Sequence, residues 1–165
     1  MSRVGIGYDA HRFAAGRRLV LCGVAVDHEL GLAGHSDADV ATHAVIDAVL
    51  GAAGFPDIGA LYPDTDPAYE GASSIALLRD VVTRVRAAGW AVGNVDLVIV
   101  AERPRLADHR GRMRDLLAEA LRVEPGAVGV KATTTEGMGF EGRGEGVSAT
   151  AVCLLEPVAE QPTEP

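Results

Sequence analysis

Residues 34–66 constrain the fold more than any other stretch, because they predict one helix together with its start, its end and the loop that follows. Alanine and valine recur at helical spacing across residues 37–53 and form a narrow apolar face. Ser36 stands at the predicted N-cap, and Asp39 follows three residues later as the acid of a capping box. Two glycines and then Pro56 predict the end of the helix. We therefore expect the chain to fold around this helix.

The predicted helix also carries a polar stripe, because Asp39, His43 and Asp47 follow one another at intervals of four residues. An imidazole between two carboxylates suits a metal ligand whose second ring nitrogen needs a partner. The same stripe is also typical of a solvent-exposed helix face, and the helix alone leaves both interpretations open.

Residues 3–13 alternate in the way that a β-strand requires. One face would carry Val4, Ile6, Tyr8 and Ala10, and the other would carry Gly5, Gly7, Asp9, His11 and Phe13. Asp9 and His11 would then point the same way and, with His43 from the helix, make up the three protein ligands of a catalytic zinc. The alternative is that His11 only hydrogen-bonds Asp9 at the end of a strand.

Composition excludes several classes of protein. With 165 residues, of which 48% are hydrophobic and 23% charged, the chain is expected to form one globular domain with a proper core. The net charge of −8 argues against nucleic acid or an anionic membrane as a partner. Cys22 and Cys153 lie in apolar runs, which favours buried free thiols in a reducing compartment. Because no long apolar run is present, we expect a cytoplasmic protein.

The rest of the chain alternates between strand and helix patterns. Further strands are predicted at 18–26, 95–101, 128–132 and 147–155, and further helices from Ser73 or Ser74 and over 108–121. These patterns predict an α/β or α+β fold, in which a mixed β-sheet has helices on one face and is buried by self-association on the other. We expect residues 1–156 to form a single domain and residues 157–165 to form a polar, disordered tail.

Residues 131–146, KATTTEGMGFEGRGEG, combine three threonines, Glu136 and five glycines. Threonine hydroxyls and backbone amides that glycine leaves accessible are suited to binding a diphosphate. A carboxylate beside them can hold a magnesium ion that bridges phosphate oxygens. The stretch lacks the GKS or GKT of a Walker loop. A glycine-rich hairpin without a ligand is the alternative.

Together, GYDAHRF, GHSDADVATHAVIDAVLGAAGFPDIGALYPDTDP and KATTTEGMGFEGRGEGV resemble the 2-C-methyl-D-erythritol 2,4-cyclodiphosphate synthase family of the non-mevalonate isoprenoid pathway. The resemblance covers about residues 3–155 and keeps the order and spacing of the motifs. It implies a homotrimer with active sites between neighbouring subunits, and one zinc and one magnesium or manganese per site. It also implies that 4-diphosphocytidyl-2-C-methyl-D-erythritol 2-phosphate is converted to the cyclic diphosphate and CMP.

The resemblance also implies metal ligands wherever a motif position matches. The family's zinc ligands fall on Asp9, His11 and His43, of which Asp9 and His11 also count among the substrate contacts. Glu136 would hold the magnesium or manganese ion together with the phosphates of the substrate.

The substrate positions implied by the resemblance form three groups. Phosphate and transition-state contacts fall on His35, Ser36 and Thr134, of which His35 and Thr134 are the catalytic positions. The methylerythritol loop falls on Asp57, Ile58, Gly59, Tyr62, Pro63, Asp64, Thr65 and Asp66. The cytidine pocket falls on Ala101, Pro104, Arg105, Leu106, Ala107, Thr133, Thr134, Thr135 and Glu136, and further ligand positions fall on Phe140 and Arg143. The family often has lysine where this chain has Arg105, which keeps the charge but changes the phosphate geometry.

Arg143 and Glu145 predict a feature at the axis of the trimer. They are two residues apart at the expected start of the final strand, so they share a face. That face continues through Val147, Ala149, Ala151 and Cys153, which would line the axis. Three arginines at the mouth of an apolar tube suit an isoprenoid diphosphate, as the resemblance also implies. Alternatively, the two charges only pair across the subunit interface to fix its register.

The implied reaction is an intramolecular phosphoryl transfer, in which the 2-phosphate attacks the β-phosphorus and CMP leaves. Such a reaction depends on positioning and charge stabilisation and requires no protein nucleophile. Two rival functions use parts of the same pattern. One is a zinc phosphohydrolase that activates water, and the other is a non-catalytic module that binds an isoprenoid diphosphate. Neither explains all three motifs.

Overall fold

The computed structural model describes residues 1–158. Within them the strands are β1 (Arg3–Ala14), β2 (Leu19–Leu21), β3 (Val24–Val26), β4 (Gly31–Leu32), β5 (Trp90–Val100), β6 (Val128–Thr133) and β7 (Gly146–Pro157). The helices are α1 (Val40–Ala53), α2 (Ile58–Leu61), α3 (Ser74–Ala87), α4 (Arg110–Leu121) and α5 (Gly139–Gly142). The predicted order of strands and helices is confirmed, although β5 begins at Trp90, well before the predicted start.

Five strands form one mixed sheet in the order β4-β1-β7-β5-β6. The central strand β7 is antiparallel to both β1 and β5, whereas β5 and β6 run parallel. Strands β2 and β3 form a separate two-stranded hairpin. The predicted mixed sheet is therefore confirmed, and β1, β5 and β6 all end at the same edge of it.

Helix α1 lies directly on β1, because two glycines of that strand leave no side chain between them. A Cβ atom on Gly5 would overlap the carbonyl oxygen of Ala48, and one on Gly7 would overlap that of Ala44. Both glycines are buried, and the alternation predicted for this strand is confirmed. This close approach brings the first turn of α1 to the second half of β1, where the predicted metal ligands lie.

The start of α1 differs from the prediction. Asp39 is the N-cap in place of Ser36, and its carboxylate accepts from the backbone N–H of Thr42. The same carboxylate accepts from the Thr42 hydroxyl (2.7 Å) and from the backbone N–H groups of Cys22 (2.9 Å) and Gly23 (2.7 Å). Burial raises the pKa of Asp39, although these hydrogen bonds oppose the shift. Asp39 therefore ties α1 to the β2–β3 turn and does not form a polar stripe with His43.

The outer face of the sheet, away from the helices, carries large apolar side chains. Val4 and Ile6 are 68% and 69% exposed in the single chain, and Tyr8 and Val152 are exposed as well. The row predicted to line a trimer axis is instead wholly inside the protomer, because Val147, Ala149, Ala151 and Cys153 are each 0% exposed. That part of the axial prediction is wrong, since the outward row of β7 is the alternate one.

The C-terminal end of the fold extends further than predicted. Pro157 is the last residue of β7 and pairs with Trp90, so the predicted tail begins inside a strand. The remainder of that predicted tail, residues 159–165, lies outside the described residues. Between residues 1 and 158, no helix is long and apolar enough to cross a membrane.

Candidate active site

Three potential ligand atoms converge where β1 meets α1. His11 Nε2 lies 2.9 Å from Asp9 Oδ2, and His43 Nδ1 lies 3.0 Å from the same oxygen. Asp9, His11 and His43 each offer one ligand atom, and these atoms lie within 4.8 Å of one another. The His43 side chain is only 12% exposed. The structure thus brings together the three residues predicted as zinc ligands.

The donor set fits a divalent cation. The Nδ1 atom of His11 contacts the carbonyl oxygen of Ala33. Because a carbonyl can only accept, Nδ1 carries the proton in the neutral ring, and the lone pair of Nε2 faces Asp9. One carboxylate and two imidazoles are the ligand types that zinc takes at catalytic sites. A cation bound among these three residues would accept the imidazole lone pairs, which otherwise face the Asp9 carboxylate.

The charge state of the cluster agrees with that fit. Burial raises the pKa of Asp9, but hydrogen bonds with the His11 and His43 rings and the charge that those rings carry when protonated outweigh it, so the pKa falls well below its usual range. Burial lowers the pKa of His11, but its hydrogen bonds to Asp9 and Ala33 outweigh that effect and raise the pKa above its usual value. Asp9 is therefore an anionic ligand at neutral pH.

A cleft of about 410 Å³ opens beside the cluster. Its lining comprises Asp9, His11, Gly34, His35, Ser36, His43, Ile58, Gly59, Tyr62, Asp64, Tyr69 and Leu77. Of the predicted methylerythritol loop, Ile58, Gly59, Tyr62 and Asp64 line this cleft. Asp57, Pro63, Thr65 and Asp66 do not, and Asp57 and Asp66 instead cap short helical turns by accepting from Ala60 and Ala68.

Tyr62 fastens the loop to helix α3. Its hydroxyl donates to Asp80 Oδ2 (2.5 Å), and the Arg84 guanidinium donates to the same oxygen (2.7 Å). Burial, together with the Asp80 carboxylate, raises the pKa of Tyr62 far above its usual value. Tyr62 thus remains a neutral hydrogen-bond donor, which holds one wall of the cleft in place.

A second cleft, also of about 410 Å³, lies at the ends of β5 and β6. Its lining comprises Ala101, Glu102, Arg103, Pro104, Arg105, Leu106, Ala107, Arg110, Ala132, Thr133 and Thr134. Of the residues predicted for a cytidine pocket, only Thr135 and Glu136 are not part of this lining. Three arginines, Arg103, Arg105 and Arg110, give it a positive wall that suits phosphate groups.

The loop after β6 is held by Glu102, for which the sequence predicted no individual role. Its carboxylate accepts from the backbone N–H groups of Thr135 (3.1 Å) and Gly137 (3.2 Å). Glu136, between them, is exposed and has a left-handed backbone with φ of 54°. The Thr134 hydroxyl donates to Glu136 Oε1 at 3.3 Å. Thr134 and Glu136 are therefore adjacent, as a phosphate and metal site requires.

Arg143 and Glu145 form an exposed pair within one chain. Arg143 Nε lies 2.7 Å from Glu145 Oε1, and their side chains are 60% and 56% exposed. Arg143 caps helix α5 and both residues precede β7, so neither belongs to the strand as predicted. Phe140 and Glu145 line a smaller cleft together with His11.

The two large clefts share no lining residue. The zinc-ligand candidates lie in one of them, and Thr133 and Thr134 lie in the other. Both sets are predicted to belong to one active site, which the resemblance places between neighbouring subunits. A single chain keeps them apart.

Three further residues near the first cleft were not predicted as functional. Arg17 donates from its guanidinium to the carbonyl oxygens of Gly34 and Ser36, and so clamps the segment that carries His35. The Ser74 hydroxyl contacts both His43 Nε2 and the Asp37 carboxylate. The signal for Asp37 was present in the HSDAD motif, whereas Arg17 and Ser74 come from distant parts of the chain with no local pattern.

The fold and the cluster together define an α/β protein with a candidate metal site beside a ligand cleft. The chain belongs to the YgbB family, whose profile matches residues 2–156. The 2-C-methyl-D-erythritol 2,4-cyclodiphosphate synthase of Methylococcus capsulatus is 58% identical over 94% of this chain and 98% of its own length. The predictions of family, enzyme class and reaction are confirmed by this membership.

Two further relatives extend the comparison. A protein of Anaeromyxobacter named bifunctional enzyme IspD/IspF is 59% identical over 92% of this chain, which spans only 39% of that longer protein. The Plasmodium falciparum IspF structure, described as a CDP complex, superposes with a TM-score of 0.84 at 28% identity. That match covers 96% of this chain and 97% of the Plasmodium chain. The predicted fold class is confirmed, and a small-molecule substrate is supported.

Proposed function

We propose that this chain converts 4-diphosphocytidyl-2-C-methyl-D-erythritol 2-phosphate to 2-C-methyl-D-erythritol 2,4-cyclodiphosphate and CMP. The observation that carries the proposal is the convergence of Asp9, His11 and His43 beside a cleft. Membership of a family whose curated relatives bear the synthase name supports the same reaction.

The metal ligands follow from the donor chemistry of each site. Asp9, His11 and His43 would hold zinc, whose ligand types they match. Glu136 would hold magnesium or manganese together with the phosphates of the substrate, because one carboxylate alone is a poor cage for such a cation. When bound, the two cations neutralise phosphate charge and polarise the phosphorus that is attacked.

The residues of the chain bind and orient two phosphate groups that repel each other. His35 and Ser36 line the first cleft and would hold the 2-phosphate, while the Thr134 hydroxyl would contact the diphosphate. An oxygen of the 2-phosphate forms a bond to the β-phosphorus as the bond from that phosphorus to the CMP oxygen breaks. No protein group forms a covalent bond, so positioning and electrostatics supply the rate.

The nucleotide end of the substrate would occupy the second cleft. Ala101 and Ala107 bound a segment in which Pro104 leaves backbone groups to meet the cytosine edge. Arg105 offers a guanidinium to the diphosphate, Thr133 at the end of β6 lines the same cleft, and Thr135 would contribute from the loop after β6. The description of the Plasmodium structure as a CDP complex supports a cytidine nucleotide as ligand of this fold.

We also propose that the protein is a homotrimer in which each active site joins the first cleft of one subunit to the second cleft of its neighbour. The separation of the two clefts within one chain supports this arrangement. The exposed apolar side chains of Val4, Ile6, Tyr8 and Val152 support burial of the outer sheet face between subunits. A cytoplasmic location fits the free, buried thiols of Cys22 and Cys153.

An isoprenoid diphosphate is the ligand we propose at the axis of this trimer, with its tail on the exposed apolar side chains of the outer sheet face and its diphosphate near Arg143. We expect farnesyl diphosphate to raise the melting temperature of the wild type and not that of Arg143→Ala, in a thermal-shift titration. If neither protein responds, Arg143 and Glu145 form a structural pair only. Arg122→Ala, which removes an exposed arginine of the α4 end, is the matched control and should respond like the wild type.

Phosphorus NMR of the reaction mixture tests the proposed function. With the cytidyl substrate and magnesium, the wild type should produce CMP and a cyclic diphosphate, whose two phosphorus nuclei are coupled to each other. CMP with a linear, uncyclised diphosphate would favour a zinc phosphohydrolase. Binding of an isoprenoid diphosphate with no turnover would favour a non-catalytic module.

A further inference from the structure

A fully buried serine lies directly behind one of the zinc-ligand candidates. Ser74, the first residue of α3, is 0% exposed, and its Oγ lies 2.9 Å from His43 Nε2. Its hydroxyl also contacts Asp37 Oδ1, and its backbone N–H donates to Asp37 Oδ2 at 3.0 Å. Asp37, Ser74, His43 and Asp9 thus form one continuous chain of hydrogen-bonding groups.

The direction of each proton in this chain follows from donor chemistry. An ionised carboxylate only accepts, so the Ser74 hydroxyl donates to Asp37. The Ser74 oxygen then has only lone pairs to offer His43, so the ring donates to it from Nε2. Nδ1, 3.0 Å from Asp9 Oδ2, is then the nitrogen whose lone pair is left to bind a cation in the cluster.

We infer that Asp37 and Ser74 are positioning residues, which hold His43 in the one tautomer and ring orientation that leaves Nδ1 free to bind the metal. The inference rests on the zinc site in the proposed function. A hydrogen-bonded partner on the second nitrogen of a metal-bound histidine fixes the ring and raises its basicity as a ligand. Here a buried serine transmits that effect from Asp37.

Two other contacts near His43 do not replace this relay, the chain of hydrogen bonds from Asp37 through Ser74 to His43. Ser36 Oγ lies 3.2 Å from the same nitrogen, but it accepts from the backbone N–H of Ala38, and no carboxylate fixes the direction of its own proton. Asp37 also caps α3 through the backbone of Ser74, which is a purely structural bond. Removing the Ser74 hydroxyl leaves that bond intact, so the two roles of Asp37 can be separated.

Zinc affinity is the first test, measured by competition with a chromogenic chelator in the full-length protein. Ser74→Ala should weaken zinc binding by about 10–100-fold, the range seen when such supporting partners are lost. Asp37→Asn should do the same, because an amide can donate to Ser74 and reverse the proton direction. Ser74→Thr restores a hydroxyl and should recover much of the affinity. Ser73→Ala, at the neighbouring exposed residue without a side-chain cap bond, should bind zinc as the wild type does.

NMR of the ring nitrogens in zinc-loaded protein is the second test and reports the hydrogen bond on Nε2 directly. With Nδ1 bound to the metal, the Nε2 proton of wild-type His43 should resonate downfield and exchange slowly with water because it is donated to buried Ser74, and Ser74→Ala and Asp37→Asn should move the resonance upfield and speed the exchange. Folded Ser74→Ala and Asp37→Asn proteins with wild-type zinc affinity and an unchanged Nε2 proton resonance would overturn the inference. Both readouts are independent of turnover, so failure of the cyclase reaction would not be mistaken for failure of the relay.

Discussion

Replacing His43 with alanine should remove most of the bound zinc and nearly all activity, while the protein stays folded. The imidazole supplies one of three ligand atoms, and the two that remain, on Asp9 and His11, come from a single strand. Metal ions contribute several kcal/mol of transition-state stabilisation, which corresponds to a loss of about a thousandfold or more in rate. Zinc content by elemental analysis and turnover of the purified variant are the measurements.

Stability should change far less than activity in this variant. His43 lies at the edge of the cleft and its hydrogen bonds are to polar groups, so we expect a destabilisation of about 1–2 kcal/mol by urea unfolding. His28→Ala is the matched control, because that half-buried ring contacts Leu30 and Phe13 and lies outside the first cleft. His28→Ala should keep its zinc and its activity. A folded His43→Ala protein with full zinc content would refute the ligand assignment.

Local periodicity predicted the strand of Asp9 and His11 correctly. Alternation placed Gly5, Gly7, Asp9 and His11 on one face of β1, and the structure has that face toward α1. The reason is that side-chain direction in a strand depends only on its period of two. The convergence of His43 on the same face followed from two local patterns and from the resemblance to a family.

Side-chain contacts between residues that are far apart in the sequence were harder to predict. The helix stripe suggested Asp39 as the carboxylate beside His43, but Asp39 turns away to cap α1 and to bind the Cys22–Gly23 turn. The imidazole instead contacts Asp9 and Ser74, which are respectively 34 and 31 residues away in sequence. Such contacts depend on how helices pack on the sheet, which no local spacing encodes.

The face of the central strand was predicted wrongly for a related reason. The odd-numbered row of β7 is apolar throughout and the even-numbered row includes Ser148 and Thr150, but this alternation does not say whether the apolar row faces the helices of its own subunit or a trimer axis. The odd-numbered row from Val147 packs under the helices, and Val152 belongs to the outward row. Arg143 and Glu145 precede the strand, so extrapolating their face along it had no geometric basis.

The division of the site between two clefts was implied by the resemblance to the family, and no local pattern in the sequence encodes it. The motifs around His43 and Thr134 were assigned to one reaction, and the single chain keeps their clefts separate. Two explanations exist: the clefts meet across a subunit boundary, or they act independently. The proposed trimer corresponds to the first explanation. It predicts that two variants, each inactive alone, regain activity when they are combined in one trimer, which a site within a single chain would not allow.

Mixed trimers of two inactive variants test this account most directly. One variant, His43→Ala, lacks the zinc side, and the other, Glu136→Gln, lacks the carboxylate on the nucleotide side; each alone should form almost no cyclic diphosphate. Co-expression with different affinity tags, followed by two purification steps, isolates trimers that contain both. In a three-fold ring, each mixed trimer has one interface where an intact zinc side meets an intact nucleotide side.

Phosphorus NMR of these mixed trimers should therefore show the cyclic diphosphate forming at about one third of the wild-type rate per trimer. His28→Ala, combined with wild type in the same tagged format, controls for effects of the tags and of mixing, and should show the full rate. Mixed trimers as inactive as either parent would contradict the account, because they would show that each chain must supply its zinc ligands and its nucleotide cleft to the same site.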